Sequence, residues 1–350
     1  MKKDSDAISL IKRNAVPILF AVLCGLGILV ADIDPLFLIN EIITRLARNS
    51  FLVLALLIPV SAGLGLNFAI VIGAMAGQAA IIFVTHLKIK GLWGFTLAML
   101  SSVPLAALMG YLAGLVMNRA KGREMITSMI LGFFANGIYQ LVFLFLVGTV
   151  IPMKNRAMML PGGVGLRNTV DLYPMAKALD KLWRPDILGV RIPMGTLLLV
   201  AILCVGLHFL MRTRLGQQMR AVGQDLNIAS VAGIDVDKTR IIAMIISTVL
   251  AAWGQLIFLQ NISTLNTYNS HEQVGTFAIA ALLVGGATAR RASIWQALVG
   301  LLLFHTLFVV SPLAGQAIVG IPQIGEYFRV FVAYGVIGVA LALHAWQGRA

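Results

Sequence analysis

The sequence predicts an all-α, polytopic transmembrane bundle of about ten spans with both termini in the cytoplasm. Three observations lead there. Of 350 residues, 59% are hydrophobic and only 12% are Asp, Glu, Lys or Arg, too few charges to coat a soluble domain of this length. Mean hydropathy is +0.92. The charges are also segregated: 14–31, 51–85, 91–118, 125–150, 241–270 and 292–325 hold none, and a bilayer core is crossed by roughly 20 apolar residues.

The spans are expected near 14–31, 51–66, 68–86, 91–118, 125–150, 193–211, 239–260, 276–289, 293–311 and 328–347. The first follows MKKDSDAISLIKRN and ends ILVADIDP; with no small-x-small cleavage site it reads as a retained span. Pro59 and the following SAGLGLN break the second, as spans do where neighbours or a cavity can satisfy freed backbone groups. Pro104 is expected to kink the fourth. Gly73/Gly77 and Gly110/Gly114 have the GxxxG spacing of close helix approach. The whole chain, 1–350, reads as one transmembrane domain with an outer loop at 151–192 and a cytoplasmic loop at 212–240.

Basic clusters set the orientation. Lys2, Lys3, Lys12 and Arg13, then Arg119, Lys121 and Arg123, then Arg212, Arg214 and Arg220, then Arg290 and Arg291 all fall on one side of a ten-span chain, the cytoplasmic side by the positive-inside bias. Lys88 and Lys90 break the pattern, as does the outer loop with Lys154, Arg156, Arg167, Lys177, Lys181, Arg184 and Arg191. A basic outer surface suits docking of an acidic soluble partner, with Arg156, Arg167 and Arg184 as the candidate contacts.

The net charge of +13 is therefore a topological signal. No basic run is interleaved with aromatics, and nucleic acid is not an expected partner. Cys24 and Cys204 lie in apolar runs and act as small hydrophobes. His86, His208, His271, His305 and His344 have no ligand-spaced companions, so no metal is expected. No GxxxxGK[ST] occurs, so the chain has no phosphate-cradling loop of its own.

Ion-coupled carriers keep charges within spans, and this reading finds none at mid-span; enzymes need convergent nucleophile, base or ligand sets, and none is spaced for it. The polar groups inside spans are neutral: Asn67, Gln78, Thr127, Ser128, Asn136, Gln140, Ser247, Thr248, Gln255 and Gln260. Most serve interhelical hydrogen bonds. Asn67, Gln78, Asn136, Gln140 and Gln255 are the candidates for a path taken by an uncharged, hydroxyl-rich solute. Asn67 sits at a helix break, and Asn136 and Gln140 share a face at i, i+4.

The stretch LGQQMRAVGQDLNIASVAGID (215–235) is polar yet built. Asp225 is a good N-cap, Gly233 can take the left-handed position that ends a helix, and LNIASVA between them is about two turns with small residues. Such a helix suits insertion into a groove on a partner. A long charged side chain at Ala229 would then be expected to block docking.

RLGQQMRAVGQDLNIASVAGIDVDKTRIIAM (from Arg214) resembles the cytoplasmic loop of bacterial ABC-importer permeases for ribose, galactosides, nucleosides and branched-chain amino acids. GLNFAIVIGAMAGQAA, REMITSMILGFFANGI and FAIAALLVGGATARRAS resemble further segments of that family in order, the middle one closest to the sugar and nucleoside branch. Phe68, Ala69 and Val71 depart toward the amino-acid branch, and ATARRAS replaces later glycines.

The resemblance implies that 225–233 is a coupling helix docking on a cytoplasmic ATPase subunit, with Arg220, Gly223, Asp225, Asn227, Ile228, Ala229, Ser230 and Gly233 carrying the contact. It implies a second permease, identical or paralogous, and a periplasmic or lipid-anchored substrate-binding protein, in a lipid membrane. ATP and Mg would belong to the ATPase, with no cofactor bound by this chain. The expected role is a non-catalytic permease for a sugar or nucleoside; a branched-chain amino acid permease and an ion-coupled carrier are the alternatives.

Overall fold

The computed structural model describes residues 14–153 and 155–347; Lys2, Lys3, Lys12, Arg13, Lys154 and the side chain of His344 lie outside what it describes. The chain forms α1 (Ala15–Ala31), α2 (Pro35–Ala55), α3 (Leu57–Ser61), α4 (Ile70–His86), α5 (Gly91–Arg119), α6 (Glu124–Leu141, continued by a π turn Val142–Leu146), α7 (Met194–Arg212), α8 (Arg214–Gln224), α9 (Leu226–Val231), α10 (Val236–Ile262), α11 (Glu272–Val284), α12 (Ile294–Val319) and α13 (Pro322–Gln347). Among the described residues, Pro35–Ser61, Gly91–Arg119, Glu124–Leu146, Met194–Arg212, Val236–Ile262 and Ile294–Val319 are long and apolar enough to cross a membrane; α1, α4 and α11 are shorter apolar helices. The helical membrane bundle expected from composition is what folds.

α10 forms the centre. Both GxxxG pairs grip it: a Cβ at Gly73 would sit 2.5 Å from Thr248 O and one at Gly77 2.5 Å from Ala252 O, while Gly110 and Gly114 of α5 face the backbone of Ile245 and Ile241. Backbone-on-backbone packing of this kind replaces the hydrophobic drive that lipid does not supply. Pro104 lies inside α5, which stays continuous across it. Trp253 Nε1 (3.2 Å) and Ser102 Oγ (2.7 Å) both donate to Met99 O, tying α5 to α10 near the proline.

The second span corrects the sequence reading, which started it at 51. The helix starts at Pro35, capped by the Asp34 carboxylate accepting from Leu36 N and Phe37 N, with proline at a first-turn position where its missing N–H costs nothing. The polar residues of 40–49 are partnered along the helix: Glu41 pairs with Arg45 at 3.0 Å, and the Asn40 and Asn49 amides donate back to Leu36 O and Arg45 O. Charges therefore do lie inside long apolar elements, in Glu41, Arg45 and Arg48, and again in the fully buried Arg240 of α10, which reaches Glu124 of α6 at 2.7 Å. A count of charge alone does not separate a loop from a helix in which Glu41 and Arg45 pair one turn apart.

Two ends can be told apart. One carries Arg119–Arg123, α8, α9 and 285–293; Asn118 donates to Asp237 O there, and Lys121 pairs with Asp237 at 2.6 Å. The opposite end carries 147–193. That segment is a folded cap rather than a solvated loop: β1 (Thr169–Asp171) pairs antiparallel with β4 (Thr264–Asn266), β2 (Asp186–Ile187) with β3 (Val190–Arg191), and Met158, Leu166, Leu172 and Met175 are buried beneath it.

Candidate functional site

A cavity of about 460 Å³ lies between α4, α6, α11 and α13, lined among others by Phe68, Val71, Asn136, His271, Glu272 and Tyr334. Its polar wall is a continuous network. Tyr139 OH donates to Gln78 Oε1 (2.9 Å). His271 Nδ1 faces the same oxygen at 2.9 Å and its Nε2 faces Asn136 Oδ1 at 2.8 Å. Asn136 Nδ2 donates to Glu272 Oε1 (3.3 Å), and Gln140 Nε2 to Asn136 Oδ1 (3.5 Å).

With both ring nitrogens toward amide oxygens, His271 would donate twice and be an imidazolium. Turning the Gln78 amide over lets its Nε2, buried and otherwise partnerless, donate to Nδ1 of a neutral ring; either way every ring nitrogen is satisfied. A solute here meets amides, an imidazole, a phenol from Tyr334 and one carboxylate.

The network gathers Gln78, Asn136 and Gln140, three of the five path candidates. The i, i+4 pair on α6 does share the inward face. Asn67 is elsewhere: its Oδ1 accepts from Ala69 N and its Nδ2 approaches Met244 Sδ (3.5 Å), so it shapes the entry to α4 beneath the cavity. Gln255 is buried and donates to Ser270 O (3.3 Å), one residue before His271. His271 and Glu272 were missed. His271 was set aside for lacking a companion at ligand spacing, yet its partners come from α4 and α6, far away in sequence.

The cavity is tied to α9 by backbone packing. α8 lies across the break after α3: a Cβ on Gly223 would collide with Ser61 O, and one on Gly63 would sit 3.1 Å from both Gly223 Cα and Val222 O. Gly63 has φ +71° and Gly65 φ +68°, the left-handed turns that glycine permits. Five residues past Gly63, Phe68 lines the cavity and its N–H is held by Ser128 Oγ of α6 (3.1 Å).

α9 is built as its residues indicate. Asp225 Oδ1 accepts from Asn227 N (2.8 Å) and Ile228 N (2.9 Å), and Gly233 takes φ +80°. Arg220 Nη2 donates to Met211 O (2.9 Å), tying α8 to the end of α7. One expectation is corrected: Ala229 is not a surface residue. It is 2% exposed and packs with Val222 and Val236 inside the loop's own small core, because the i, i+3 face of a capped single turn folds back onto α8. The apolar side chains presented outward are Ile228 (69%) and Val231 (90%), flanked by exposed Asn227 and Ser230.

At the opposite end Arg156, Arg167 and Arg184 are all exposed, and Arg167 also donates through Nε to Met159 O (2.9 Å). Among the described residues no group of three His, Cys, Asp or Glu is placed to hold a metal ion.

Comparison with known proteins agrees with this architecture. The chain is 25% identical over 280 residues to the autoinducer 2 import system permease protein LsrC of Enterobacter sp. (strain 638), covering 79% of this chain and 73% of that one. It is 26% identical over 157 residues to the xylose transport system permease protein XylH of Haemophilus influenzae, covering 44% and 38%. With the nucleoside ABC transporter permease protein NupC of Lactococcus lactis it shares 30% over 146 residues, 42% and 44% of the two chains. No solved structure matches. A family model for the permease component of branched-chain amino acid transport systems matches residues 38–341, from the first turn of α2 well into α13, so this multi-pass chain belongs to that permease family.

Proposed function

We propose that the chain is the membrane subunit of an ATP-driven, binding-protein-dependent importer for a sugar or nucleoside, with ATP hydrolysed by a separate cytoplasmic ATPase. The observation that carries this reading is the Gly223–Gly63 contact, which runs from a capped, partner-facing helix to the wall of a polar cavity. In this reading the α9 end faces the cytoplasm and the chain crosses ten times, by α1, α2–α3, α4, α5, α6, α7, α10, α11, α12 and α13.

Ile228 and Val231 enter a groove of the ATPase. ATP binding moves α9 and α8 as one body, since Ala229, Val222 and Val236 share a core. The Gly63–Phe68 connector follows, displacing Phe68 and the start of α4 at the cavity. Such a step biases the access states only because contact with the ATPase differs between them. A second permease, identical or paralogous, and a soluble or lipid-anchored binding protein complete the assembly, the latter on Arg156, Arg167 and Arg184. The relatives named for autoinducer 2, xylose and nucleosides favour a hydroxyl-rich solute over an amino acid.

The test is uptake by the complex of permease, ATPase and binding protein in liposomes. Uptake that requires internal ATP is expected. Uptake driven by an ion gradient, with the ATPase left out, would overturn the proposal.

A further inference from the structure

A second cavity, of about 210 Å³, lies on the other side of the first turn of α11, toward the capped end. Its walls differ in kind. Arg45 and Arg48 of α2 face Phe258 of α10, Phe277 of α11, and His305 and Phe308 of α12. Arg45 is neutralised by Glu41. Arg48 has no carboxylate within ion-pair distance among the described residues. Its Nη1 donates to Asn261 Oδ1 (3.3 Å), whose Nδ2 donates to Asp180 Oδ2 (3.2 Å), so its side-chain hydrogen bond reaches a carboxylate only through an amide.

The Nε of Arg48 is buried with no partner, and so is Nδ1 of His305, a side chain only 8% exposed. The Arg48 guanidinium also stacks over Phe258 at 5.5 Å. A third guanidinium, Arg329, covers the Phe308 ring at 4.7 Å behind the wall. A guanidinium held in an apolar bundle without a carboxylate partner of its own is costly, and a second guanidinium, Arg45, lines the same cavity.

We propose that this cavity binds the oxyanion of the transported solute. The proposal rests on the importer reading above and narrows its solute class: a sugar acid, sugar phosphate or nucleotide-like molecule, a ring carrying a carboxylate or phosphate ester. Arg48 and Arg45 hold the anion. Phe258, Phe277 and Phe308 receive the ring's apolar face. The volume lies below the roughly 300–1,000 Å³ of drug-sized pockets, which suits one acidic ring. The neutral cavity across α11 then serves the hydroxyls, and Gln273 lines both.

The full-length permease in phosphatidylcholine nanodiscs provides the test, read as the rise in thermal unfolding midpoint with added probe. The pairs are galacturonate against galactose and ribose 5-phosphate against ribose, with leucine as a third kind of carboxylate. The acid of each pair is expected to act at roughly tenfold lower concentration than its neutral parent, since hydrogen bonds to charged groups are the stronger ones. Arg48→Gln should abolish that preference and leave the response to the neutral sugars. Arg48→Lys, which keeps the charge, should retain part of it and serves if the glutamine variant does not fold.

Equal response to both members of each pair, a preference that survives Arg48→Gln, or a response to leucine alone would each overturn the proposal. So would loss of the acid preference in phosphatidylglycerol nanodiscs, which would assign the anion site to a lipid headgroup. Failure here leaves ATP-dependent uptake of a neutral solute intact, whereas failure of the importer reading shows as uptake without the ATPase.

Discussion

Two short connectors meet at the central cavity, and they are held in opposite ways. Residues 61–69 come from the α9 end and deliver Phe68; residues 263–271 come from the capped end and deliver His271. The first is seated by glycine on glycine, Gly63 against Gly223, with backbone surfaces in contact. The second is laced by hydrogen bonds: the β1–β4 ladder, Thr267 N to Asn168 O (2.7 Å), Thr267 Oγ1 to Arg167 O (2.8 Å) and Tyr268 OH to Leu166 O (2.7 Å). A seat of van der Waals contact resists compression but lets the two glycine surfaces slide without breaking a hydrogen bond between them. A ladder fixes register. One connector is built to transmit movement, the other to give the cavity a fixed wall.

The largest expected effect comes from filling the seat. Gly223→Val places a branched side chain against Ser61 O and within reach of Gly63 N. Overpacking of this kind costs about 1–3 kcal/mol, a roughly 5–150-fold shift between access states if it falls on one of them. ATP-dependent uptake by the complex is expected to collapse while co-purification with the ATPase survives, because Ile228 and Val231 are untouched. Normal uptake by the variant would remove the seat from the mechanism.

The fixed wall is probed next. His271→Phe keeps the bulk and removes one of two partners from each of Asn136 Oδ1 and Gln78 Oε1, at about 0.5–1.5 kcal/mol for each hydrogen bond lost. The half-saturating solute concentration for uptake is expected to rise roughly tenfold on that basis, with basal ATPase of the complex unchanged and partial recovery in His271→Gln. A loss of ATPase coupling instead would move His271 from the wall to the drive.

These two connectors were unequally legible. The α9 loop could be read almost residue by residue, because Asp225 and Gly233 satisfy local backbone needs that depend only on neighbours in sequence. Its orientation could not: Ala229 is inward because Val222 and Val236 are there to cover it, and that is a tertiary fact. The i, i+4 spacing of Asn136 and Gln140 announced a shared face, yet nothing local announced that His271 would arrive between Gln78 and Asn136 from over 130 residues away. The start of α2 was hidden for a related reason. Glu41 and Arg45 look like a loop to any count of charge, and become helix once they neutralise each other one turn apart.

The smallest effect is at the rim of the capped end, and it separates two roles that one basic loop combines. Arg156 and Arg184 are exposed and make no hydrogen bond or ion pair through their side chains with the described residues, whereas Arg167 pins Met159 O through Nε. Reversing the first two, Arg156→Glu with Arg184→Glu, removes only long-range attraction for the binding protein. Exposed pairs contribute about 0.5 kcal/mol each, about 1 kcal/mol for the two, so the binding-protein concentration for half-maximal ATPase stimulation should rise roughly fivefold. The difference should vanish near 1 M salt, where the Debye length falls to about 3 Å. Arg167→Glu should behave differently: the Arg167 carbonyl anchors Thr267 on the connector that ends at His271, so part of its defect should persist at high salt and appear in solute affinity. If all three substitutions titrate away together with salt, the capped end is only a docking surface, and the fixed wall takes its rigidity from within the bundle.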